Sequence, residues 1–189
     1  NVKHWLSQHG FLRESFNIHR STLNIFNKGF GRIAYDIINT QKAWCFKYNY
    51  NLYIGKNSFL REQTAYYFTN NGWDLPHFTI QPNDFNYQLE ESYNQNTPFH
   101  HQHSEPIGDH HLLLTNHLGQ TTDYLQPEFL DLIEEYEDVY IEAKGNEVCI
   151  IMQNQLAEVE DIDHTLQICE NFVQKLTPVS QPEQMPSVA

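Results

Sequence analysis

Histidine is the residue type whose spacing in this chain most directly suggests chemistry. The chain contains 11 histidines, and six of them lie in one segment: His100, His101, His103, His110, His111 and His117. Imidazole nitrogens bind zinc, copper and nickel, so several in one segment could form a metal site. However, the segment has no H-E-x-x-H motif and matches no other zinc-binding spacing. The sequence therefore favours a polar surface loop. A metal-binding protein or a metal-dependent enzyme that uses residues 100–117 is the alternative.

Other patterns that carry chemistry are missing from the sequence. Gly29-Phe30-Gly31 lacks the length and the basic residue of a phosphate-binding loop, and it instead predicts a turn or bulge before a strand. No G-x-S-x-G nucleophile elbow occurs. Acidic residues cluster at 134–138 and at 158–163, where a solvated helix end and helix caps explain them. The sequence thus predicts no catalytic residue, no metal ligand and no cofactor, and it favours a protein that is not an enzyme.

The composition describes one acidic domain. The 189 residues carry a formal net charge of -13, and 14% of them are aromatic. That charge argues against nucleic acid as a partner and equally against docking on an anionic membrane surface. No run approaches the roughly 20 apolar residues of a membrane span. The odd set of cysteines (Cys45, Cys149 and Cys169) lies in apolar runs. Reduced core thiols are expected, which favours the cytosol or a cytosol-facing location.

The second half of the chain predicts a helix, a β-hairpin and a helix between residues 126 and 176. Pro127 fits the first turn of a helix, and apolar residues follow it at helical spacing. Two β-rich runs, at 139–143 and 148–152, are joined by Lys144-Gly145-Asn146-Glu147. A short link of this composition is typical of a hairpin. The final helix ends before Pro178.

The first half predicts strands. Expected strands lie at 32–39, 42–53, 63–69, 77–80 and 112–114. In the second of these, Trp44, Phe46, Tyr48 and Tyr50 alternate onto one face, which is more typical of core than of a ligand platform. The fold class is therefore α+β: an antiparallel sheet with helices packed on one face and a C-terminal helix-hairpin-helix. We expect one domain over residues 1–177, with an irregular excursion at 83–109 and a disordered tail at 178–189.

Several motifs resemble a family of uncharacterised actinobacterial and cyanobacterial proteins. The matching stretches are Trp5-Leu6 to Gly10-Phe11, Gly29 to Arg32, Phe46 to Tyr50, Leu75 to Pro82, and Gln126 to Leu176. In that family a soluble domain of unknown function follows membrane-spanning helices. The resemblance implies the cytosol-facing part of a membrane-tethered protein, and it carries no activity.

Three hypotheses follow for function. The first is a non-enzymatic soluble domain that binds a protein or a small ligand, without nucleic acid, and that meets a membrane only through a segment outside this chain. The second is the metal-binding alternative that uses residues 100–117. The third is a self-associating structural domain. The aromatic first half and the histidine-rich excursion are the regions where function is expected, because the residues of the helix-hairpin-helix all have structural explanations.

Overall fold

The computed structural model describes residues 17–40, 43–54, 56–84, 102–152 and 161–176. Eight strands lie in these ranges: β1 (Phe30–Asn39), β2 (Trp44–Ile54), β3 (Asn57–Thr69), β4 (Leu75–Pro82), β5 (His103–Ile107), β6 (His111–Thr115), β7 (Val139–Gly145) and β8 (Glu147–Met152). Three α-helices accompany them: α1 (Leu118–Thr122), α2 (Pro127–Glu134) and α3 (Ile162–Leu176). Two short 3₁₀ turns precede the first strand, at Ile18–Arg20 and Asn24–Asn27. The opening motif at residues 5–11, most of the 83–109 excursion and the 178–189 tail lie outside the described residues.

The strands form one sheet in the order β1-β2-β3-β8-β7-β4-β6-β5. Every neighbouring pair is antiparallel. A mostly antiparallel sheet with a few helices confirms the α+β class. The helix-hairpin-helix of the second half is also confirmed. Lys144 pairs with Glu147 across a two-residue turn, in which Gly145 has a φ of 57°. This positive φ explains the glycine, since other residues adopt it at a cost.

Two hydrophobic clusters lie on opposite faces of the sheet. Because side chains alternate along a strand, Cys45 of β2 joins one cluster and Phe46 joins the other. The first cluster contains Phe129 and Cys169, from α2 and α3. The second contains Phe26, from the segment before β1. We refer to these as the first and second faces of the sheet.

The aromatic side chains of β2 are part of the second cluster, as the alternation predicted. Phe46, Tyr48 and Tyr50 are buried, and Trp44 packs against them half-buried. Phe26 meets the ring of Tyr48 edge-on, with ring centroids 5.4 Å apart. The interpretation of this stripe as core, not as a ligand platform, is confirmed.

The strand β3 is longer than the sequence predicted. The strand expected at 63–69 begins at Asn57, and it pairs without a break with β2, which ends at Ile54 close to the predicted position. On its other side, β3 pairs with β8 only over residues 65–69 within the described part of the chain. We call β1, β2 and residues 57–64 of β3 the arm. The predicted bulge near Gly29-Phe30-Gly31 is present as a register shift between Phe30 and Ile33.

A further strand occurs where the sequence shows no periodic signal. Residues 103–107, at the end of the expected excursion, form the edge strand β5, which pairs with β6. Four of its five residues are exposed and only Ile107 is buried, so no alternating apolar pattern is needed. Pro106 is compatible with the position because an edge strand leaves backbone groups unpaired.

Candidate functional site

Residues 17–28, which we call the strap, cross the second face of the sheet and are anchored by a buried carboxylate. Glu142 of β7 is fully buried. Its Oε1 accepts the backbone N–H of Asn24 at 2.6 Å, and its Oε2 accepts that of Ile25 at 2.8 Å. Nε2 of His77 lies 3.1 Å from Oε1, and the Tyr140 hydroxyl donates to Oε2 at 3.1 Å. Glu142 therefore caps the second 3₁₀ turn of the strap, for which Leu23 at the N-cap provides no side-chain bond.

A second carboxylate holds the strap nearby. Oε2 of Glu147 accepts the backbone N–H of Thr22 at 2.9 Å and the Thr22 hydroxyl at 2.6 Å. The Tyr67 hydroxyl donates to Oε1 of the same glutamate. Lys28, which is buried, places its Nζ 5.1 Å from the centre of the Tyr140 ring. Two strand glutamates thus bind three strap residues, Thr22, Asn24 and Ile25, through charge-assisted hydrogen bonds.

The electrostatics of Glu142 fit a structural carboxylate. Burial alone would raise its pKa, but the hydrogen bonds from His77 and from the backbone of Asn24 and Ile25 outweigh burial, and the pKa is lowered below 4.5. The two oxygens of the ionised Glu142 carboxylate accept hydrogen bonds from four donors, and two of these donors belong to the strap that it anchors. A Glu beside a His could also do acid–base chemistry, yet such work needs contact with a substrate, and both groups are buried beneath the strap.

Sequence reasoning did not identify this centre. The available signal was a single charged residue inside an apolar strand, Ile141-Glu142-Ala143. A charge in a buried strand is expected only where it is paired. The partners of Glu142 come from the strap and from β4, so they lie far from it in sequence, and spacing rules could not find them.

The histidines are divided between the two ends of the β5–β6 hairpin. His103 pairs with Thr115, whereas His111 pairs with Ile107. Four residues of strand separate these ends by roughly 13 Å, so His103 and His111 cannot share one ion. His110 instead lies beside Glu137, with 3.6 Å between Nε2 and Oε1. Within residues 17–40, 43–54, 56–84, 102–152 and 161–176, no group of three or more His, Cys, Asp or Glu is placed to hold a metal. His100 and His101 lie outside these ranges.

The imidazole of His111 makes stability sensitive to mild acid. It is fully buried, and neither ring nitrogen has a hydrogen-bond partner among the described residues. Burial lowers the pKa of His111 from its ordinary 6.5, against the opposing effect of Glu134. The unfolded chain therefore binds more protons below pH 6.5, and the free energy of unfolding must fall as the pH falls. We expect the loss to begin near pH 6.5, to continue down to the folded-state pKa of His111 and not to exceed about 1.4 kcal/mol per pH unit. A flatter profile is expected for His111→Asn. Urea unfolding at several pH values measures it, and equal slopes for both proteins would refute it.

All three cysteines of the chain are buried and free, as the sequence predicted. Burial raises the pKa of Cys45 to about 12 and raises the pKa of Cys149 and Cys169 well above the ordinary range. Since the thiolate is the reactive form, these thiols are poor nucleophiles in the folded protein.

The exposed large hydrophobic side chains of the described residues all lie in the arm. They are Phe30 (38% exposed), Ile33 (57%), Tyr53 (61%), Phe59 (46%) and Leu60 (56%). Phe30 and Tyr53 stack with ring centroids 4.3 Å apart and planes 13° apart. Scattered exposed apolar residues are ordinary, but a group confined to one end of a sheet is a candidate binding surface. Sequence reasoning missed this surface because the strand after β2 is predicted to begin at residue 63, which leaves Phe59 and Leu60 outside any predicted strand.

Charged residues are distributed unevenly along the chain, which the net charge of -13 does not show. Residues 30–69 carry five basic and two acidic residues, a net charge of +3. Residues 70–189 carry two basic and 21 acidic residues, a net charge of -19. The arm itself, counted over β1, β2 and residues 57–64, carries three basic and two acidic residues, and Lys56 in the turn brings its net charge to +2. It contrasts with the acidic residues 70–189, and it also carries the exposed large apolar side chains.

Comparisons with known proteins identify the fold and not a family. The sequence matches no protein-family model and no curated protein. One solved structure is similar: the crystal structure of the mycobacterial trehalose monomycolate transport factor A, TtfA. Its TM-score is 0.56 at 13% sequence identity, over 95% of this chain and 96% of that chain. At this identity the similarity establishes the shared fold alone. Among the described residues, no helix has the length and apolar character to cross a membrane.

Proposed function

We propose that this protein is a non-enzymatic binding domain that contacts its partner through the arm. The observation that carries the proposal is the confinement of all exposed large apolar side chains of the described residues to β1, β2 and the start of β3. Burying such side chains against a partner removes apolar surface from water, which contributes a favourable free energy of binding.

The packing of the sheet explains why the arm is open. We propose that α2 and α3 cover the first face only over the central strands, while the strap covers the second face. On β2, Cys45 packs into the first cluster, but Asn49, Asn51 and Tyr53 on the same face lie further along the arm and are not part of it. Beyond the helices, the first face of the arm thus presents Ile33, Tyr53 and their neighbours to whatever binds there.

The polar centre supports a binding role over catalysis. Glu142 and Glu147 both hold the strap, and their hydrogen bonds account for their burial. Of the histidines at 100–117, His103 and His111 lie at opposite ends of the β5–β6 hairpin, which counts against a metal site that they share. A location on the cytosolic side, as part of a membrane-tethered protein, remains part of the proposal, and its motivation is the sequence resemblance.

The proposal is tested by comparing what the wild type and matched variants retain. Three proteins are immobilised and exposed to an extract of source cells that includes membranes. They are the wild type, the arm variant (Tyr53→Ser combined with Leu60→Ser) and the control variant Tyr124→Ser. Tyr124→Ser is the control because it removes the same ring from a half-buried site outside the arm. We expect a protein or lipid that the wild type and the control both retain and that the arm variant retains at least about tenfold less. Identical retained sets for all three proteins would contradict a binding role for the arm.

A further inference from the structure

We infer that the partner of the arm is an anionic lipid bilayer, into whose interface the β2–β3 hairpin end inserts. This inference rests on the proposed function, because it names the partner of the same surface. It departs from the expectation drawn from the net charge, which treats the charge as evenly spread over the molecule.

The first observation is that exposed apolar side chains project from both faces of the β2–β3 hairpin end. Leu60 pairs with Asn51, and with Tyr53 it lies on the first face. Phe59 pairs with Leu52, whose side chain belongs to the second cluster, so Phe59 lies on the second face. All three are at least 46% exposed. A protein seated on one face would leave the other side in water, whereas a bilayer interface surrounds an inserted hairpin end.

The second observation is the kind of side chain. Tyrosine and phenylalanine rings favour the boundary between headgroups and acyl chains, where an apolar ring and a polar group are both accommodated. Tyr53 is the most exposed of the large apolar residues, and its ring is stacked on Phe30. Ordering two rings against each other before binding reduces the entropy lost on insertion.

The third observation is charge complementarity. Lys56 is exposed in the turn between β2 and β3, and Arg61 follows Leu60 on β3. A Lys or Arg close to an anionic surface strengthens binding roughly fivefold. The net charge of -19 over residues 70–189 is repelled by the same surface, so the field orients the molecule with the arm toward the lipid.

The test is binding of the full chain to large unilamellar vesicles, measured by flotation. We expect the wild type to bind vesicles of phosphatidylcholine and phosphatidylglycerol in equal parts, to bind pure phosphatidylcholine vesicles more weakly, and to be released by salt. Lys56→Glu exchanges an attraction for a repulsion and should weaken binding roughly 30-fold. Lys175→Glu is the matched control, because it makes the same charge change at an exposed position of α3. It should bind like the wild type.

A second readout locates the contact. The three native cysteines are buried, so a cysteine introduced at exposed Ser58 is selectively labelled with an environment-sensitive fluorophore. We expect the label at Ser58→Cys to shift to the blue on addition of anionic vesicles. The same label at Asp138→Cys, an exposed position between α2 and β7, should not shift.

Three outcomes would overturn the inference. The inference is wrong if the wild type fails to bind anionic vesicles or if Lys56→Glu binds them as the wild type does. It is also wrong if the label at residue 58 does not shift when vesicles are added. A different result is that the wild type fails to bind vesicles and yet retains a protein from the extract that the arm variant does not retain. In that case the proposed function stands and the lipid is excluded as the partner. If the chain instead forms a dimer that Tyr53→Ser with Leu60→Ser dissociates, a second copy occupies the arm and the lipid inference is wrong.

Discussion

Glu142→Ala should lower the free energy of unfolding by about 3–5 kcal/mol, the range seen when one partner of a buried charged network is removed. The substitution leaves two strap N–H groups, from Asn24 and Ile25, without the acceptors they have at 2.6 and 2.8 Å. It also leaves the Tyr140 hydroxyl and His77 facing a cavity in a fully buried site. Urea unfolding, followed by circular dichroism, measures the change.

Two further variants make this result interpretable. Glu142→Gln keeps the shape but turns an amide NH₂ toward a backbone N–H, so a smaller loss of about 1–3 kcal/mol is expected. Glu105→Ala removes an exposed glutamate from β5 and should change stability by no more than about 0.5 kcal/mol. A loss below about 1 kcal/mol for Glu142→Ala would show that the strap is held by its apolar contacts and not by the carboxylate.

The charge of Glu142 adds a signature in acid. Its folded-state pKa lies below 4.5, while in the unfolded chain it returns to that value. The unfolded state therefore takes up the proton first, and the stabilisation is complete above pH 4.5 and is lost as the pH falls through the folded-state pKa. Glu142→Gln lacks this loss. The loss from His111 begins near pH 6.5 and that from Glu142 begins near pH 4.5, so comparing wild type, Glu142→Gln and His111→Asn assigns each contribution.

The elements that the sequence predicted well are those with local signals. Gly145-Asn146 forms the predicted turn between β7 and β8, and the alternation in β2 correctly placed Phe46 and Tyr48 in the core. Each signal depends only on neighbours within a few residues. The antiparallel class followed from these elements, because strands joined by short links pair with their sequence neighbours.

The features that sequence reasoning missed depend on contacts between distant residues. Glu142 and the strap backbone are about 118 residues apart, and Thr22 and Glu147 are 125 apart. Within the described residues β8 pairs with β3 only over 65–69, which leaves Leu60 exposed, and no local pattern encodes where this pairing lies. The histidine segment shows the converse limit of local patterns: His103 and His111 are close in sequence, yet the β5–β6 hairpin places them at its opposite ends.

Gly29→Ala should be among the most destabilising single-methyl substitutions in the described part of the chain, at about 2–5 kcal/mol. Gly29 has a φ of 61°, a conformation that costs an L-residue about 1–2 kcal/mol. A Cβ there would lie 2.3 Å from the carbonyl oxygen of Asn51 and 2.8 Å from Cδ2 of Tyr50. The first contact is with the backbone of β2, so relief requires β1 and β2 to move apart, which adds about 1–3 kcal/mol.

Gly145→Ala separates the two causes. Gly145 has a similar φ of 57°, but a Cβ there would meet no atom within 4 Å. This variant carries the conformational cost alone, and a loss of about 1–2 kcal/mol is expected. If the two variants lose the same free energy of unfolding, the contact with Asn51 contributes nothing.

The same pair of variants connects stability to the arm. Gly29 joins the strap to β1, and Phe30 directly after it stacks on Tyr53. Displacing the start of β1 removes this stacking, so Gly29→Ala should weaken binding at the arm even where the protein remains folded. Gly145→Ala lies in the β7–β8 turn and should leave binding unchanged at equal folded concentration. Vesicle flotation at a temperature where both variants are folded distinguishes them, and unchanged binding by Gly29→Ala would show that the Phe30–Tyr53 stack is not part of the contact.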